Sequence, residues 1–551
     1  MTGKMAASSI AMAFGASISR RPLIPIRHCR FLSQLTSPVT ADIPGPPSSN
    51  IEYSYDTISL SPVATNGSKD VPEPTLPQPP ALLPLETPKI EVSLPTTVKS
   101  PLEHPDQFWR KIPMWKNVGT GEFLNYRWGT ANVVQGNPKL LKFLTSTLPL
   151  TLPKVPSLPS APQAPDGATE TREELIEDIF AGISAATMAI RMTPYVLSRI
   201  DWTNPRQDPV FRQFIPTKSS MLADHPKLTL DSLHETSDSP VKGLVHRYTD
   251  RTLFLPTSVC PTYCMFCTRS YAVGANTEQV TKASLKPTRS TWESAFSYIE
   301  NTTTLRDVVV SGGDSYYLQP DHIDMIGDRL ISIPHIRRFR FASRGMAVSP
   351  NRILDKSDPW ADAIIRVAKK ARRAGKHMAL HTHFNHPNEI SWITEMAARR
   401  LHEEGVTVRN QSVLLRGVND CVKTMGTLIH KLANNNIFPY YVYQCDMVKS
   451  IEHLRTPLST IIDMEACLRG SIAGFLMPQF VIDLPGGGGK RLASTYETYD
   501  AATGKYTYLA PSVTGRGKES RIYEYYDPLG TAGAVRGSGL SRLLMQQAPV
   551  A

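Results

Sequence analysis

Three cysteines stand close together in Ser258-Val-Cys260-Pro-Thr-Tyr-Cys264-Met-Phe-Cys267, on the loop that leaves the apolar run Thr252-Leu-Phe-Leu-Pro256. The spacing is Cys-x3-Cys-x2-Cys, a pocket of soft thiolate donors. Structural zinc wants a closed tetrahedron of four ligands, and no second Cys-x2-Cys knuckle follows. A cubane iron–sulfur cluster held by three cysteines instead leaves one iron open to bind something else. A zinc loop closed by a distant fourth ligand, or three unrelated thiols, are the competing readings of this spacing.

Three further stretches have chemistry to offer. Val310-Ser-Gly-Gly-Asp314 sets two glycines where a backbone must approach a ligand, beside an acceptor for an ammonium; alone it is a common turn. His381 and His383 share a face if the segment is a strand, and with His386 they suggest a metal site, although a lone histidine more often hydrogen-bonds inside a core. Leu484-Pro485-Gly486-Gly-Gly-Gly489-Lys490 is no Walker loop: Leu484 stands six before the lysine and Arg491 follows it. Four glycines let backbone amides approach a phosphate, and the lysine can form a Schiff base with an aldehyde; pyridoxal phosphate carries both groups. The ordinary alternative is a flexible turn.

These residues need elements to hold them. After the first strand, short apolar runs alternate with helix-like segments: Val308-Val-Val310, Phe339-Arg-Phe341, Met378 to His383, Val406 to Leu415, Ile437 to Tyr443 and Phe475 to Leu484. Repeated strand–helix units predict an α/β fold with a parallel sheet, and six of them predict a partial (β/α)6 barrel rather than a full eightfold one. In such sheets chemistry gathers at the carboxyl ends of the strands. The Cys loop, Ser311 to Asp314, His381 to His386, Asn410-Gln411, Asp446 and Asp483 all fall there. Ser290 with Glu293 predicts a capping box, and Asp358-Pro359 and Gly375 predict the two ends of another helix. Upstream, Leu175, Ile179, Ile183 and Ile190 have helical spacing, with Pro194 expected to end or kink that helix.

The chain has 551 residues, 41% of them hydrophobic, enough for one large domain with extensions. No apolar run approaches a bilayer span, so no membrane association is expected. Seven cysteines, three in one motif, argue against a disulfide framework and for a reducing compartment. Of the net charge of +11, Lys4, Arg20, Arg21, Arg27 and Arg30 supply five in a leader with no acid before Asp42, which leaves +6 for the body. With no basic run interleaved with aromatics, nucleic-acid binding is not expected. Residues 1–41 read as a mitochondrial transit peptide, which makes the matrix the expected location, with the cytoplasm as the alternative. Residues 42–104 read as a disordered Pro- and Ser-rich linker, 105–245 as a mainly helical region with a Pro-rich insertion at 148–166 and a linking stretch from Phe211 to Val245. The barrel is expected over 246–494, an extension over 495–529, and a disordered tail over 530–551.

Assembled, the motifs resemble those of the lysine 2,3-aminomutase family, from about Glu173 to Ser494. The resemblance is carried by His246-Arg-Tyr-x-Asp-Arg251, Asn410-Gln-x-Val-Leu-Leu-Arg-Gly-Val-Asn-Asp-Cys421 and Pro485-Gly-Gly-Gly-Gly-Lys490. It implies a radical S-adenosylmethionine (SAM) enzyme that uses a [4Fe-4S] cluster, SAM and pyridoxal 5′-phosphate to move the α-amino group of lysine to the β-carbon. By position, Cys260, Cys264 and Cys267 would hold the cluster, and Ser311, Asp314, His383 and Gln411 would contact or support SAM. Lys490 would carry pyridoxal phosphate, with Arg247, Tyr248 and Arg251 around its phosphate and ring and Tyr443 near the reacting centre. Arg269 would pair with the substrate carboxylate, and Asp446 and Asp483 with the distal ammonium. Two carboxylates favour a cation over a glutamate side chain. A related radical aminomutase acting on arginine, ornithine or glutamate is the alternative, and a catalytically silent metal-binding homologue an alternative class. The family also implies an electron donor and a homo-oligomer. Two departures stand out. No cysteine follows Cys467 to close the family's inter-subunit zinc site with Cys421, and Thr268-Arg-Ser-Tyr271 keeps only Arg269 of the usual arginine run.

Overall fold

In the computed structural model, residues 104–154, 167–283, 288–511, 513, 518 and 520–531 are described. The leader at 1–41, nearly all of the linker at 42–104, most of the insertion at 148–166 and nearly all of the tail at 530–551 lie outside them. Among the described residues nine strands form one sheet. They are β1 (Leu244–Tyr248), β2 (Arg251–Phe254), β3 (Asp307–Val310), β4 (Arg338–Ala342), β5 (His377–Thr382), β6 (Thr407–Leu414), β7 (Ile437–Gln444), β8 (Gln479–Leu484) and β9 (Gly489–Leu492). Neighbours pair in chain order; β2 to β8 are parallel, and β1 and β9 are antiparallel edges.

β3, β5 and β8 are buried along nearly their whole length, as strands covered by crossover helices must be. Those helices are α1 (Arg289–Asn301), α2 (Pro320–Ser332), α3 (Trp360–Arg373), α4 (Trp392–Glu403), α5 (Val422–Asn434) and α6 (Leu458–Leu468). Six strand–helix units and a seventh parallel strand make the expected partial barrel. Helix α3 shows why its ends fall where they do. Asp358 Oδ1 accepts the Trp360 amide at 2.9 Å, Trp360, Ile364, Val367 and Ala371 form the buried stripe, and Gly375 leaves at φ 65°. Helix α1 begins earlier than expected: Thr288 and Thr291, not Ser290 and Glu293, form its capping box, because their hydroxyls reciprocate with each other's amides.

Before the barrel, Thr171 and Glu174 box the helix Arg172–Ala185. Pro194 does not break it but opens a separate helix, Pro194–Arg199, where its missing N–H costs nothing and the Thr193 hydroxyl caps Val196. The insertion begins as a strand, Thr151–Pro153, paired with Thr169–Thr171. Trp392 of α4 donates to the Asp106 carbonyl at 2.8 Å and stacks on His104, which fastens this region to the barrel. The stretch at 495–529 is not a bare extension. Its Thr498–Asp500, Lys505–Leu509 and Ile522–Tyr526 form an antiparallel sheet, from which Tyr525 reaches Gln444 Nε2 at 2.9 Å at the end of β7.

Two edges that would otherwise stay open approach each other. The Lys490 amide on β9 donates to the Tyr248 hydroxyl on β1 at 3.0 Å, and Tyr248 also bridges to Val513. The barrel is thereby nearly closed, through residues already singled out for chemistry.

The Cys loop is positioned by close backbone packing. A Cβ on Gly312, at φ 96°, would lie 2.1 Å from the Thr257 carbonyl oxygen, and one on Gly313 would lie 2.6 Å from the Val259 backbone. These glycines thus face the loop that carries the cysteines, and the Gly313 and Asp314 amides donate to Thr257 and Val259. Gly312→Ala is expected to cost about 2 kcal/mol or more in denaturant unfolding and to lower iron uptake on reconstitution; unchanged stability contradicts this packing.

Candidate active site

A cavity of about 350 Å³ lies at the carboxyl ends of the strands. Every residue to which the family resemblance gives a role lines it, whereas His386 does not. The Cys loop follows β2, Ser311 and Asp314 follow β3, His383 follows β5, Gln411 and Tyr443 lie on β6 and β7, Asp446 follows β7, Asp483 lies on β8 and Lys490 on β9. Arg247, Tyr248 and Arg251 come from β1 and β2, and Arg269 from the Cys loop itself.

Around the three free thiols the wall is tightly built. Burial pushes the Cys267 thiol up to about 11 and raises Cys260 and Cys264, and each thiolate further opposes its neighbours. An electron-poor group shared by the three sulfurs would remove that penalty, so the donor set fits an iron–sulfur cluster. Among the described residues no group of three or more Cys, His, Asp or Glu side chains, the cysteine trio included, converges on a position for a single metal ion. Arg344 Nη1 donates to Cys264 Sγ at 2.7 Å, while its Nη2 donates to Gln213 and Glu389 at 2.6 Å each. Asp314 accepts from the Tyr316 and Arg344 amides, both at 2.8 Å, which pins the ends of β3 and β4 together; burial pushes its carboxyl up to about 6. His383 contacts Asn385 Oδ1 at 3.1 Å, and burial with the Arg344 charge pushes it down to about 3, leaving a neutral imidazole.

The second group centres on Lys490. The antiparallel register of β8 and β9 sets Asp483 opposite Lys490, and the Lys490 Nζ meets Asp483 Oδ2 at 2.5 Å. Burial opposes both charges, but their attraction overrides it: the lysine is held well above its usual value and the carboxyl below. The ammonium lies 5.6 Å from the Tyr443 ring centroid and 6.0 Å from that of Tyr248, over which the Arg251 guanidinium stacks at 3.8 Å. Arg247 donates to Asp238 at 2.8 Å and stands 3.9 Å from Asp483 Oδ1. That Oδ1 is buried without a hydrogen bond, an acceptor waiting for a donor. Among the described residues the Asp446 carboxyl accepts only from the Thr268 hydroxyl, at 2.5 Å. Burial, then the Asp483 charge, pushes its carboxyl up to about 7. A lysine, two arginines and a tyrosine on one wall fit an aldehyde cofactor that carries a phosphate.

No family model matches the chain. It is similar, however, to the L-lysine 2,3-aminomutase of Clostridium subterminale, 37% identical over 381 residues that cover 69% of this chain and 80% of that protein. The chain belongs to the lysine 2,3-aminomutase family. It is 41% identical to the L-lysine 2,3-aminomutase of Acetoanaerobium sticklandii over 304 residues, 55% of this chain and 69% of that one. It is 28% identical to the glutamate 2,3-aminomutase of Clostridioides difficile over 383 residues, 69% and 79% of the two chains. As a member of this family it is an isomerase that relocates an amino group.

Sequence motifs left several supporting side chains unnamed. Glu235 and Asp238 come from the stretch read as a linker, Arg344 and Glu389 from the ends of β4 and β5, and Lys518 from the C-terminal segment, where it reaches Asp238. The four-glycine turn corrects a sequence expectation. Gly486 to Gly489 are absent from the cavity wall; a Cβ on Gly488 would meet Tyr523 at 2.6 Å, so the turn has to be bare to pack under the C-terminal sheet.

Between about pH 4 and 7 the folded chain keeps a proton on Asp446 that the unfolded chain has lost, so this group's contribution to stability falls as pH rises to 7 and is level above it. Asp446→Asn removes that decline. In thermal unfolding without added amino acid, the variant is expected to lose less stability between pH 5 and 7.5 than the wild type does; an unaltered pH slope contradicts the assignment.

Proposed function

We propose that the protein moves the α-amino nitrogen of L-lysine to the β-carbon, giving β-lysine. The observation that carries this reading is that Lys490 and the Cys260, Cys264, Cys267 trio line one cavity. In it the cysteines would hold a [4Fe-4S] cluster, Ser311, Asp314, His383 and Gln411 would surround SAM, and Lys490, Arg247, Tyr248 and Arg251 would hold pyridoxal phosphate. Together these groups would supply hydrogen-atom abstraction and a π-system across which nitrogen can migrate.

The chain's own residues supply selection and positioning. The Asp483 Oδ1, which lacks a hydrogen bond, and the Asp446 carboxyl, which has no ion pair among the described residues, are acceptors for the distal ammonium of lysine. A carboxylate side chain at the same place would meet the Asp483 charge and would leave the Asp446 carboxyl without a cation, so glutamate is disfavoured. Arg269 is the cation available to an α-carboxylate. The Tyr443 hydroxyl, whose ionisation burial suppresses, stays protonated and closes the wall beside Lys490. Buried aromatic and apolar surroundings keep water from the reacting carbon. Among the described residues no helix is long and apolar enough to cross a membrane. Import into mitochondria rests on residues 1–41 alone, and the bacterial relatives lend it no support.

Anaerobic reconstitution with iron and sulfide, followed by lysine, SAM, pyridoxal phosphate and dithionite, tests the reading by mass spectrometry. β-Lysine is expected, with arginine, ornithine and glutamate turned over poorly or not at all. Lys490→Ala is expected to keep its iron and lose at least about a thousandfold in turnover. Full turnover by that variant, or no β-lysine from the wild type, overturns the proposal.

A further inference from the structure

Arg269 does not stand alone in the cavity wall. Its Nε donates to Glu235 Oε2 and its Nη2 to Glu235 Oε1, both at 2.7 Å, a side-on bidentate pair. A guanidinium has two forked edges, and this pairing uses only the one made by Nε and Nη2. The other, made by Nη1 and the second Nη2 hydrogen, has a single long contact, from Nη1 to the Gly312 carbonyl at 3.5 Å. Gly312 lines the same cavity. Arg269 keeps 20% of its side-chain surface exposed, whereas Glu235 keeps 5%.

Glu235 is itself held from several directions. Asp231 accepts the Glu235 amide at 2.9 Å and the Thr236 amide and hydroxyl at 3.0 and 2.7 Å. His234, just before it, adopts φ 51°, a left-handed conformation uncommon for a residue with a side chain. The Tyr271 hydroxyl donates to Glu235 Oε2 at 3.2 Å. So firmly placed a carboxylate beside the one cation assigned to a substrate carboxylate has a use in recognition.

We propose that Glu235 is a positioning residue for substrate binding: it grips the side edge of Arg269 and turns the end-on edge into the cavity, where it receives the α-carboxylate of the amino acid. This rests on the lysine reading above and adds a second selection to it. Asp446 and Asp483 read the far end of the substrate, and the Glu235–Arg269 pair reads the near end. The pair also carries no net charge, so it takes a carboxylate by geometry without drawing every anion into a wall already rich in arginine.

Equilibrium binding to the reconstituted holoenzyme, without reductant so that nothing turns over, tests the idea with two ligands. One is L-lysine; the other is 1,5-diaminopentane, which keeps both amines and lacks the carboxylate. Glu235→Gln is expected to weaken lysine at least about tenfold while changing diaminopentane by less than about twofold. Glu235→Asp, which keeps the charge but falls one methylene short of both contacts, is expected to show the same selectivity at smaller size and decides the matter if the glutamine variant misfolds. Equal weakening of both ligands in the variants means that Glu235 only supports the fold, and unchanged lysine binding means that Arg269 needs no orienting; either overturns the proposal. Failure of the wild type to bind lysine overturns the lysine reading instead.

Discussion

The antiparallel pairing of Gln479–Leu484 with Gly489–Leu492 governs how this molecule is put together. It sets Asp483 opposite Lys490, with their charges 2.5 Å apart in a buried wall, and it delivers the Lys490 amide to Tyr248 on the far edge of the same sheet. Barrel closure and site construction are thus one event. Breaking a buried ion pair by removing one partner costs about 3–5 kcal/mol, because the remaining charge is stranded. The three glycines between the two strands, with Gly489 opening the second, serve this pairing: they let the turn fold flat beneath Tyr523 and Val513.

Charge balance explains the rest of the cavity. Arg247 leans on Asp238, Arg269 on Glu235, Arg344 on Glu389 and Lys490 on Asp483, so most buried cations already have a carboxylate. Asp446 is the exception, with only a hydroxyl donor, and its ionisation is delayed to about 7. A cationic substrate end would complete that set. Around the thiols the imbalance runs the other way: among the described residues Arg344 is the one side chain that donates to a cysteine sulfur, and three half-buried thiols call for a strongly electron-withdrawing guest.

Much of this was legible in the sequence. Short β-branched and apolar runs at regular intervals gave the strands within a few residues, since a sheet buried on both faces has little choice of composition. The residues able to do chemistry lay just after those runs, where a parallel barrel exposes them. What escaped were contacts between distant segments. Glu235 and Asp238 sit in a stretch without periodicity, so nothing local marked them; only the fold brings them to Arg269 and Arg247. The tyrosines of Lys505–Leu509 and Ile522–Tyr526 alternate as strand residues do, yet the short runs between glycine-rich segments concealed the sheet they form. Pro194 was misjudged for a simpler reason: proline ends one helix and begins another equally well, and only the Thr193 cap decides.

The central claim is that a cysteine-held cluster and the aldehyde-binding lysine face one common space. An iron-edge anomalous map from crystals of the reconstituted protein with pyridoxal phosphate bound tests it most directly. The account predicts iron at Cys260, Cys264 and Cys267 with an unliganded corner open to the cavity in which the Lys490-bound cofactor lies. Iron and cofactor in separate cavities, or iron at the three cysteines closed by a fourth protein ligand, would contradict it.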